Sequence, residues 1–454
     1  MTGGTTSEAF VEAFRTLDAS GTAGDPSWLR DLRQAAIGRF ATRGLPTPRD
    51  EEWKYTSIAP IAATSFDLGL DGTRDGLTEE ILAPFCWSPE WSRLVFVNGR
   101  YSAKLSAIGQ LPRQVRLASL GETLVTDAGT LRSHLDPAAS PKASDAFGDL
   151  NTAFWRDGAF LYVPRGAQLA PVHLLFVTSA VGSTPVVHPR NLIVLEEGSE
   201  ATVIESYAMV NGGVSLTNTT TDVIAGSGAR LDHYKIQLAA PRAFHVGRTQ
   251  VRQAGASRVS SCAITLGGRL VRNDVDVHLE APEATCTLNG LFVIGARQHV
   301  DTHTVVDHAA PRAMSRQLYK GILDGHARGV FNGRVIVRPG ANGTDAYQTN
   351  KNLLLSDGVE VDSKPQLEIF ADDVKCRHGA ADGQVAEEAV FYLKSRGLSE
   401  ASAKALLTFG FANEVLGDIG VEPVRSRLES LLSARLLGGR VAEEETMEAQ
   451  RSCA

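Results

Sequence analysis

The sequence predicts a mainly β protein with helical flanks: a parallel β-helix core over residues 151–376, an N-terminal helical domain over 1–150 and a C-terminal helical domain over 377–454. Three observations predict this fold class. Short β-rich runs follow one another from about residue 158 to 376, and no long segment of helical periodicity separates them. Similar turn sequences divide these runs at regular intervals. Helical periodicity is confined to the two ends of the chain.

The N-terminal domain is predicted to be mostly helical over about 90 residues. SEAFVEAFRTL and PSWLRDLRQAAIGRFATRG carry apolar residues at helical spacing. From Arg93 the pattern changes, because RLVFVNGRYSAKL places two short apolar runs around Asn98-Gly99, a sequence typical of a β-hairpin turn. In the second helix one apolar stripe is predicted, made of Trp28, Leu29, Leu32, Ala36 and Phe40.

The turn residues of the core recur at nearly constant intervals. Gly198, Gly228, Gly255 and Glu283 are 30, 27 and 28 residues apart. A unit of about 14 residues, often seen as a double step, is typical of a solenoid. Each coil then pairs its backbone with the next coil, and inward Val, Ile and Leu side chains form one elongated core. A β-sandwich of irregular strands is the alternative that the pattern leaves open.

The C-terminal domain is predicted to contain three helices. The first ends at Gly397, and Ser399 can cap the second. A helical appendage on an elongated body leaves apolar surface for docking a partner. The charged tail that contains Cys453 is expected to be frayed. One face of the third helix is predicted to carry Val424, Leu428, Leu431, Leu432 and Leu436.

Composition excludes several classes of protein. Apolar residues make up 43% of the 454 residues and charged residues 21%, as in folded soluble proteins. A net charge of −7 argues against a nucleic-acid binder. No signal-peptide pattern and no apolar run of about 18 residues occurs, so neither secretion nor a membrane helix is expected. Five widely separated cysteines favour a reducing cytoplasm over a disulfide framework.

Common enzyme signatures are missing from the sequence. It contains no G-x-x-x-x-G-K-[ST] phosphate loop, G-x-S-x-G elbow, H-E-x-x-H zinc motif or dinucleotide fingerprint. We therefore expect a protein that is not an enzyme, and any ATP-dependent work would belong to another protein.

The most distinctive short segment is DDVKCRHGAADG, residues 372–383. Cys376 and His378 are two residues apart, so in an extended strand their side chains leave the same face about 7 Å apart. Thiolate and imidazole both suit iron and zinc, and Lys375 and Arg377 favour the thiolate. Such sites generally take four ligands, so the others would come from a fold neighbour or another chain. The alternative is that Cys376 is a small core residue and His378 a hydrogen-bonded cap.

A second candidate is the histidine-rich run HVDTHTVVDH. In a strand, His299, Asp301, His303 and Asp307 lie on one face and His308 on the other. One strand therefore cannot bring all three imidazoles to one metal, and an exposed polar ladder is favoured over metal binding. The remaining histidines are expected to be ordinary surface or packing residues, among them His173, His188, His233 and His278.

Several longer segments resemble the SufB/SufD family of iron–sulfur cluster assembly proteins. RDEEWKYT (49–56) is similar to the R-x-E-x-W-K-Y-T segment of its SufD branch. The segments 301–308, 315–333, 348–383 and 391–411 look like the core that both branches share. The resemblance covers nearly the whole chain and is most specific from about residue 300 to 415. The N-terminal motif together with C-x-H-G-A favours the SufD branch.

This resemblance implies a right-handed β-helix and a scaffold role in the cytoplasm. SufB would pair with the chain through the two β-helices, or two copies of the chain would form a homodimer in isolation. The histidine of C-x-H-G-A, here His378 with Cys376 as its companion, is implicated in the family as a ligand at the SufB–SufD interface, beside a SufB cysteine. A transient iron–sulfur cluster shared with SufB is thus implied, none held by the chain alone, and flavin binding stays open. No nucleic-acid or membrane partner is expected.

The resemblance also implies that the C-terminal helices dock SufC, an ABC-type ATPase. The residues expected at that dock are Phe391, Tyr392, Arg396, Leu407, Phe411 and Val415.

The chain departs from the family pattern at one place. The usual C-S-H-G-A-T is here C-R-H-G-A-A, with Arg377 and Ala381 in place of two hydroxyl residues. We expect this change to alter local capping and charge rather than ligation.

Two alternative functions remain. A SufB-like principal scaffold would hold a cluster alone, and the scarcity of cysteines argues against it. A β-helix carbohydrate-active enzyme would need paired acids in an exposed groove, for which Asp301, Asp307 and Asp373 are candidates. The cytoplasmic character of the chain argues against that enzyme.

Overall fold

The computed structural model describes residues 6–21, 24–68, 76–135 and 145–437. The predicted frayed tail with Cys453 lies outside the described residues. No described helix is both long enough and apolar enough to cross a membrane. The helices are α1 (Ser7–Gly21), α2 (Ser27–Arg43), α3 (Ala59–Ala62), α4 (Glu79–Leu82), α5 (Leu120–Thr126), α6 (Ala128–Leu135), α7 (Ala146–Phe154), α8 (Glu387–Ser395), α9 (Glu400–Leu416) and α10 (Glu422–Leu437).

The described residues also form twenty strands. They are β1 (Ser92–Val97), β2 (Arg100–Tyr101), β3 (Arg116–Ser119), β4 (Ala159–Val163), β5 (Gln168–Ser179), β6 (Val186–Val187), β7 (Arg190–Leu195), β8 (Glu200–Val210), β9 (Leu216–Ala225), β10 (Arg230–Leu238), β11 (Phe244–Gln253), β12 (Arg258–Leu266), β13 (Leu270–Leu279), β14 (Thr285–Ile294), β15 (His299–His308), β16 (Met314–Leu323), β17 (Arg328–Val337), β18 (Asp345–Leu354), β19 (Glu360–Ile369) and β20 (Lys375–Gly383).

These strands form two facing sheets that the chain visits in alternation. The first sheet has the order β2-β1-β5-β8-β10-β12-β14-β16-β18-β20, and the second has the order β19-β17-β15-β13-β11-β9-β7-β4-β3, with β6 beside β9. Pairing is parallel except for β1 with β2 and β3 with β4. The result is a β-solenoid of about eight turns with helices at both ends. The predicted β-helix is confirmed, and the β-sandwich alternative is wrong.

The turns along one edge of the solenoid explain its repeat. One residue in each turn has a left-handed backbone, and the backbone N–H of each such residue except the last donates to a carbonyl in the turn of the next coil. From Gly198 onward one coil takes 27 to 31 residues, two strands and two turns, which confirms the predicted double step. Glycine is favoured at such positions because it carries no Cβ. The left-handed residues at this edge are Gly166, Gly198, Gly228, Ala256, Glu283, Arg312, Gly343 and Asp373.

Helices cover the outer face of each sheet. Phe10, Phe147 and Ile61 pack on the second sheet with Phe244 and Leu270. On the first sheet, α9 and α10 pack over another apolar cluster, listed here by its central members: Ile204, Tyr234, Ile264, Leu291, Val415 and Leu428. Because the interior between the sheets is also buried, many strands have no solvent-facing side.

The N-terminal region largely follows the sequence-based expectations. The hairpin is confirmed, since Val97 pairs with Arg100 and both residues of the Asn98-Gly99 turn have positive φ. In α2, Leu29, Ala36 and Phe40 are buried as predicted, but Trp28 and Leu32 are not fully buried. Arg33 lies in that stripe instead, where it forms an ion pair with Asp25 at 3.0 Å and donates to the carbonyl of Ala153.

The C-terminal helices contact the N-terminal region of the chain as well as the solenoid. Gly397 has positive φ after α8, and the Ser399 hydroxyl accepts from the backbone N–H of Ser402, so both predicted boundary signals are confirmed. Leu431 was predicted on the buried face of α10 but is 40% exposed, because its side chain lies off the stripe that contacts the solenoid. Arg427 of α10 donates to the carbonyls of Cys86 and Pro84.

The predicted domain boundaries at residues 150 and 376 stay predictions. The solenoid sheet extends beyond both of them, because β1 already pairs with β5 and β20 continues the first sheet to Gly383.

Candidate functional site

Cys376 and His378 lie on β20, the last strand of the first sheet. Among the described strands, β20 pairs only with β18, so its other edge carries unpaired backbone groups. Such an edge is a template for adding a strand from another chain. Both side chains leave the same face of β20, as the two-residue spacing predicts. Cys376 is partly buried, whereas His378 is exposed.

The residues beneath Cys376 are mostly apolar or small. In the register of the sheet its neighbours are Ala346, then Ser315, then Cys286. Cys376 packs against a cluster that contains Val335 and Ala346. Burial raises the pKa of the Cys376 thiol, so this environment favours the protonated form.

The residues beneath His378 are polar. Its neighbour on β18 is Gln348, and the next residue in the same stack, on β16, is Gln317. Both glutamines are at most 2% exposed. The exposed imidazole therefore lies at the end of a stack of buried amides, in contrast to the surroundings of Cys376.

Only part of the prediction for the histidine-rich strand β15 is confirmed. His308 faces the interior, where it contacts the Ser315 hydroxyl at 2.9 Å, while His303 and Asp301 face outward as expected. The interpretation as an exposed ladder is wrong, because His303 is only 7% exposed and Asp301 is 1% exposed. A distant segment that contains Glu52 covers this face of the strand.

That segment, residues 49–56, is held on the outer face of the second sheet by buried charges. Arg272 donates to both carboxylate oxygens of Asp274, to Asp301 at 3.0 Å and to the carbonyl of Glu52. Its guanidinium carbon lies 4.0 Å from the centre of the Trp53 ring. The Thr56 hydroxyl donates to Asp301 at 2.5 Å. We call this set of contacts the clasp, and it explains the position of the EEWKYT motif.

Ionisation in the clasp follows from these contacts. Burial would lower the pKa of His303, but Asp301, 3.0 Å from its Nε2 atom, outweighs burial and raises it to about 9. Burial would raise the pKa of Asp301, but His303 and Arg272 hold it well below its usual range. His303 is therefore a cation at neutral pH, which disfavours metal ligation by its imidazole.

Sequence reasoning missed a charged cluster inside the solenoid. The Glu205 carboxylate is fully buried and accepts from Tyr207 at 2.6 Å and from Thr221 at 2.9 and 3.0 Å, and it lies 3.0 Å from His233 Nε2. Lys235 lies 4.0 Å from the same carboxylate. Burial would raise the pKa of Glu205, but the His233 hydrogen bond and the Lys235 charge lower it to about 2.

The predicted ATPase-docking residues do not share one surface. Phe391 and Tyr392 on α8 are 74% and 57% exposed, and the Arg396 guanidinium lies 5.4 Å from the Tyr392 ring centre. Leu407 and Phe411 on α9 are partly buried. The remaining residue, Val415, is fully buried against the solenoid and offers no surface to a partner.

A groove and a buried lysine complete the description of the C-terminal helices. A groove of about 530 Å³ runs beside Phe391, between α8, α9 and the turn after β18. The buried Lys320 of β16 donates to the carbonyl of Phe411 at 2.8 Å and pairs with Glu414. These contacts fix α9 on the first sheet and leave α8 outermost.

No group of three or more His, Cys, Asp or Glu side chains is placed to hold a metal ion within residues 6–21, 24–68, 76–135 and 145–437. Asp301 and Asp307, proposed as acids of a carbohydrate-active enzyme, are instead bound to basic residues: Asp301 to Arg272, and Asp307 to Arg338 at 2.9 Å. That arrangement gives the enzyme alternative no support.

Comparison with known proteins adds a family. The family model described as "SUF system FeS cluster assembly, SufBD core domain" matches residues 176–411, and "SufBD protein N-terminal region" matches residues 5–173. The chain is 32% identical to an iron–sulfur cluster assembly SufBD family protein of Synechocystis, over 92% of this chain and 93% of that protein. It is 31% identical to the iron–sulfur cluster assembly protein SufD of Escherichia coli, over 95% of this chain and 98% of SufD. Identity to SufD of Bacillus subtilis is 27%, over 91% and 95%.

Proposed function

The chain belongs to the SufB/SufD family of iron–sulfur cluster assembly proteins and is SufD-like, and from this premise we propose that it is a non-catalytic scaffold subunit of a cytoplasmic Suf complex. It pairs with SufB through the open end of its solenoid and docks the SufC ATPase on its C-terminal helices. His378 contributes one ligand to a transient cluster that both scaffold subunits share.

The observation that carries this proposal is the position of His378 on an unpaired edge strand at the end of a closed core. An exposed imidazole there can meet side chains of a second solenoid. Iron–sulfur clusters take about four protein ligands, and the short C-x-H motif supplies at most two. SufB would supply the others. Because burial favours the protonated thiol of Cys376, we assign Cys376 a structural role beside His378.

Replacing His378 with alanine tests the ligand role. We expect the SufB complex of this variant to assemble normally, because the side chain is exposed. Its cluster yield should fall at least about tenfold, because loss of a residue that merely supports a metal ligand already lowers metal affinity about 10- to 100-fold. The measurement is iron content and visible absorbance after anaerobic reconstitution of the purified complex. Cys376→Ala should retain most of the yield.

His326→Ala is the matched control, since His326 is also exposed but lies in the turn after β16. A normal cluster yield from His378→Ala would remove His378 from the mechanism. A stable cluster on the isolated wild-type chain would instead favour the SufB-like principal scaffold.

The exposed pair Phe391 and Tyr392 provides a test of ATPase docking. Replacing both with serine should weaken binding of SufC about 30-fold or more, because aromatic side chains often dominate interface energies. Affinity measured by calorimetry or surface plasmon resonance checks this. Val125→Ser is the control, since Val125 is 85% exposed on α5, away from the C-terminal helices. Equal affinities for the two variants would move the dock elsewhere.

A further inference from the structure

Gln348 is a buried amide without a hydrogen-bond partner among the described residues. Its side chain is 1% exposed, and neither its Nε2 nor its Oε1 atom has a partner. A buried amide left in this state is unfavourable. The group therefore retains both a donor and an acceptor for a neighbour.

The fold makes room for this amide. Gly333 lies opposite it on β17, and a Cβ atom at Gly333 would come within 2.2 Å of Gln348 Nε2. A side chain at position 333 would therefore displace the amide.

Most nearby polar groups are bound to one another, while Gln317 Nε2, on the neighbouring strand, has no partner among the described residues. Asn350 Oδ1 accepts from Ser363 and from Asn352, both at 2.8 Å, and Asn352 also donates to Asp382. Deeper in the stack, Gln317 Oε1 accepts from Thr304 at 2.8 Å. The residue stacked on the other side of Gln348 is His378.

Neighbouring parallel strands are about 4.8 Å apart, so the amide and the imidazole are within reach of a hydrogen bond once the His378 ring turns inward. A metal-binding imidazole usually donates its second N–H to an acceptor, which fixes the tautomer and the ring orientation. An amide oxygen serves as that acceptor.

We propose that Gln348 is a positioning residue for His378: its Oε1 atom accepts the imidazole N–H and leaves the lone pair of the other ring nitrogen directed to the open end. This inference rests on the proposed ligand role of His378. Gln348 itself does not contact iron or sulfide. Its buried amide determines which ring nitrogen of His378 binds the metal.

The test is a measurement of the tautomer, which a merely structural role would not change. The full chain is labelled with ¹⁵N-histidine, and the His378 ring signals are assigned by their loss in His378→Ala. In Gln348→Met, which keeps the length but removes the acceptor, the ratio of the two neutral tautomers should change about fivefold, the factor that a typical net hydrogen bond represents. Gln348→Glu restores an acceptor and should return the wild-type tautomer.

Gln317→Met is the matched control, because Gln317 is an equally buried amide one coil further from His378. It should leave the His378 tautomer unchanged. If Gln348→Met does not fold, Gln348→Asn withdraws the amide by one methylene and should give the same change. An unaltered tautomer in folded Gln348→Met or Gln348→Asn would overturn the proposal. The ring signals are read without any cluster, so this failure is distinguishable from a failure of the ligand role, which only the cluster yield of His378→Ala reports.

Discussion

Replacing Arg272 with methionine is expected to lower the free energy of unfolding by about 3–5 kcal/mol, the cost of removing one partner of a buried ion pair. The Arg272 side chain is 2% exposed and is bound to Asp274 and Asp301. Without the guanidinium, both buried carboxylates lose a directly bound counter-charge, and Trp53 loses its cation–π contact. Urea-induced unfolding measures the loss, and limited proteolysis should show earlier cleavage around residues 49–56.

Arg165→Met is the control for the clasp. Arg165 also pairs with an acidic residue, Glu197 at 2.6 Å, but both side chains are more than half exposed. Such pairs contribute about 0–1 kcal/mol. If the two variants lost equal stability, the clasp would contribute no more than a surface ion pair.

Replacing Glu205 with glutamine should also cost about 3–5 kcal/mol at pH 7. The change removes the nearest counter-charge of the buried Lys235 and puts an amide donor beside the Tyr207 and Thr221 hydroxyls. The pKa of Glu205 is lowered to about 2, whereas a glutamate in the unfolded chain titrates near 4.3. The carboxylate therefore stabilises the fold fully above that unfolded value, and its contribution is lost as pH falls toward 2.

Unfolding of the wild-type chain and Glu205→Gln should therefore differ most at pH 6–7 and progressively less below about pH 4. Glu200→Gln is the control on the same strand, because Glu200 pairs with Arg230 on the surface. It should cost no more than about 1 kcal/mol. A difference between wild type and Glu205→Gln that persists undiminished to pH 3 would contradict the ionised, paired state of Glu205.

The parts of the fold that sequence could predict depend on local backbone chemistry. Asn98-Gly99 favours a hairpin turn, Ser399 caps a helix and the repeated turns of the core need left-handed residues. Each signal acts within a few residues of its own position. The β-helix followed from their regular spacing, and the same-face placement of Cys376 and His378 followed from the period of a strand.

The parts that sequence could not predict depend on contacts between distant segments. Ile204 and Glu205 are adjacent and both fully buried, since one faces the C-terminal helices and the other the interior. Burial of both faces removes the alternation that marks a half-exposed strand. His303 was expected to be exposed because the covering residue, Glu52, is 251 positions away. Gln348 likewise lies next to His378 only because of the register between β18 and β20.

The contact between Arg427 and the Pro84 and Cys86 carbonyls has a consequence for biosynthesis. Chains emerge from the ribosome with the N-terminal segment first. More than three hundred further residues must therefore be translated before Arg427 is available to these two carbonyls. Trp87 beside them packs with Val415 and Leu416 of α9 and stays uncovered for the same interval. A nascent chain can stack its coils progressively, but the outer surface of the first sheet is sealed only after α10 has left the exit tunnel. Until then that apolar surface is open to chaperones.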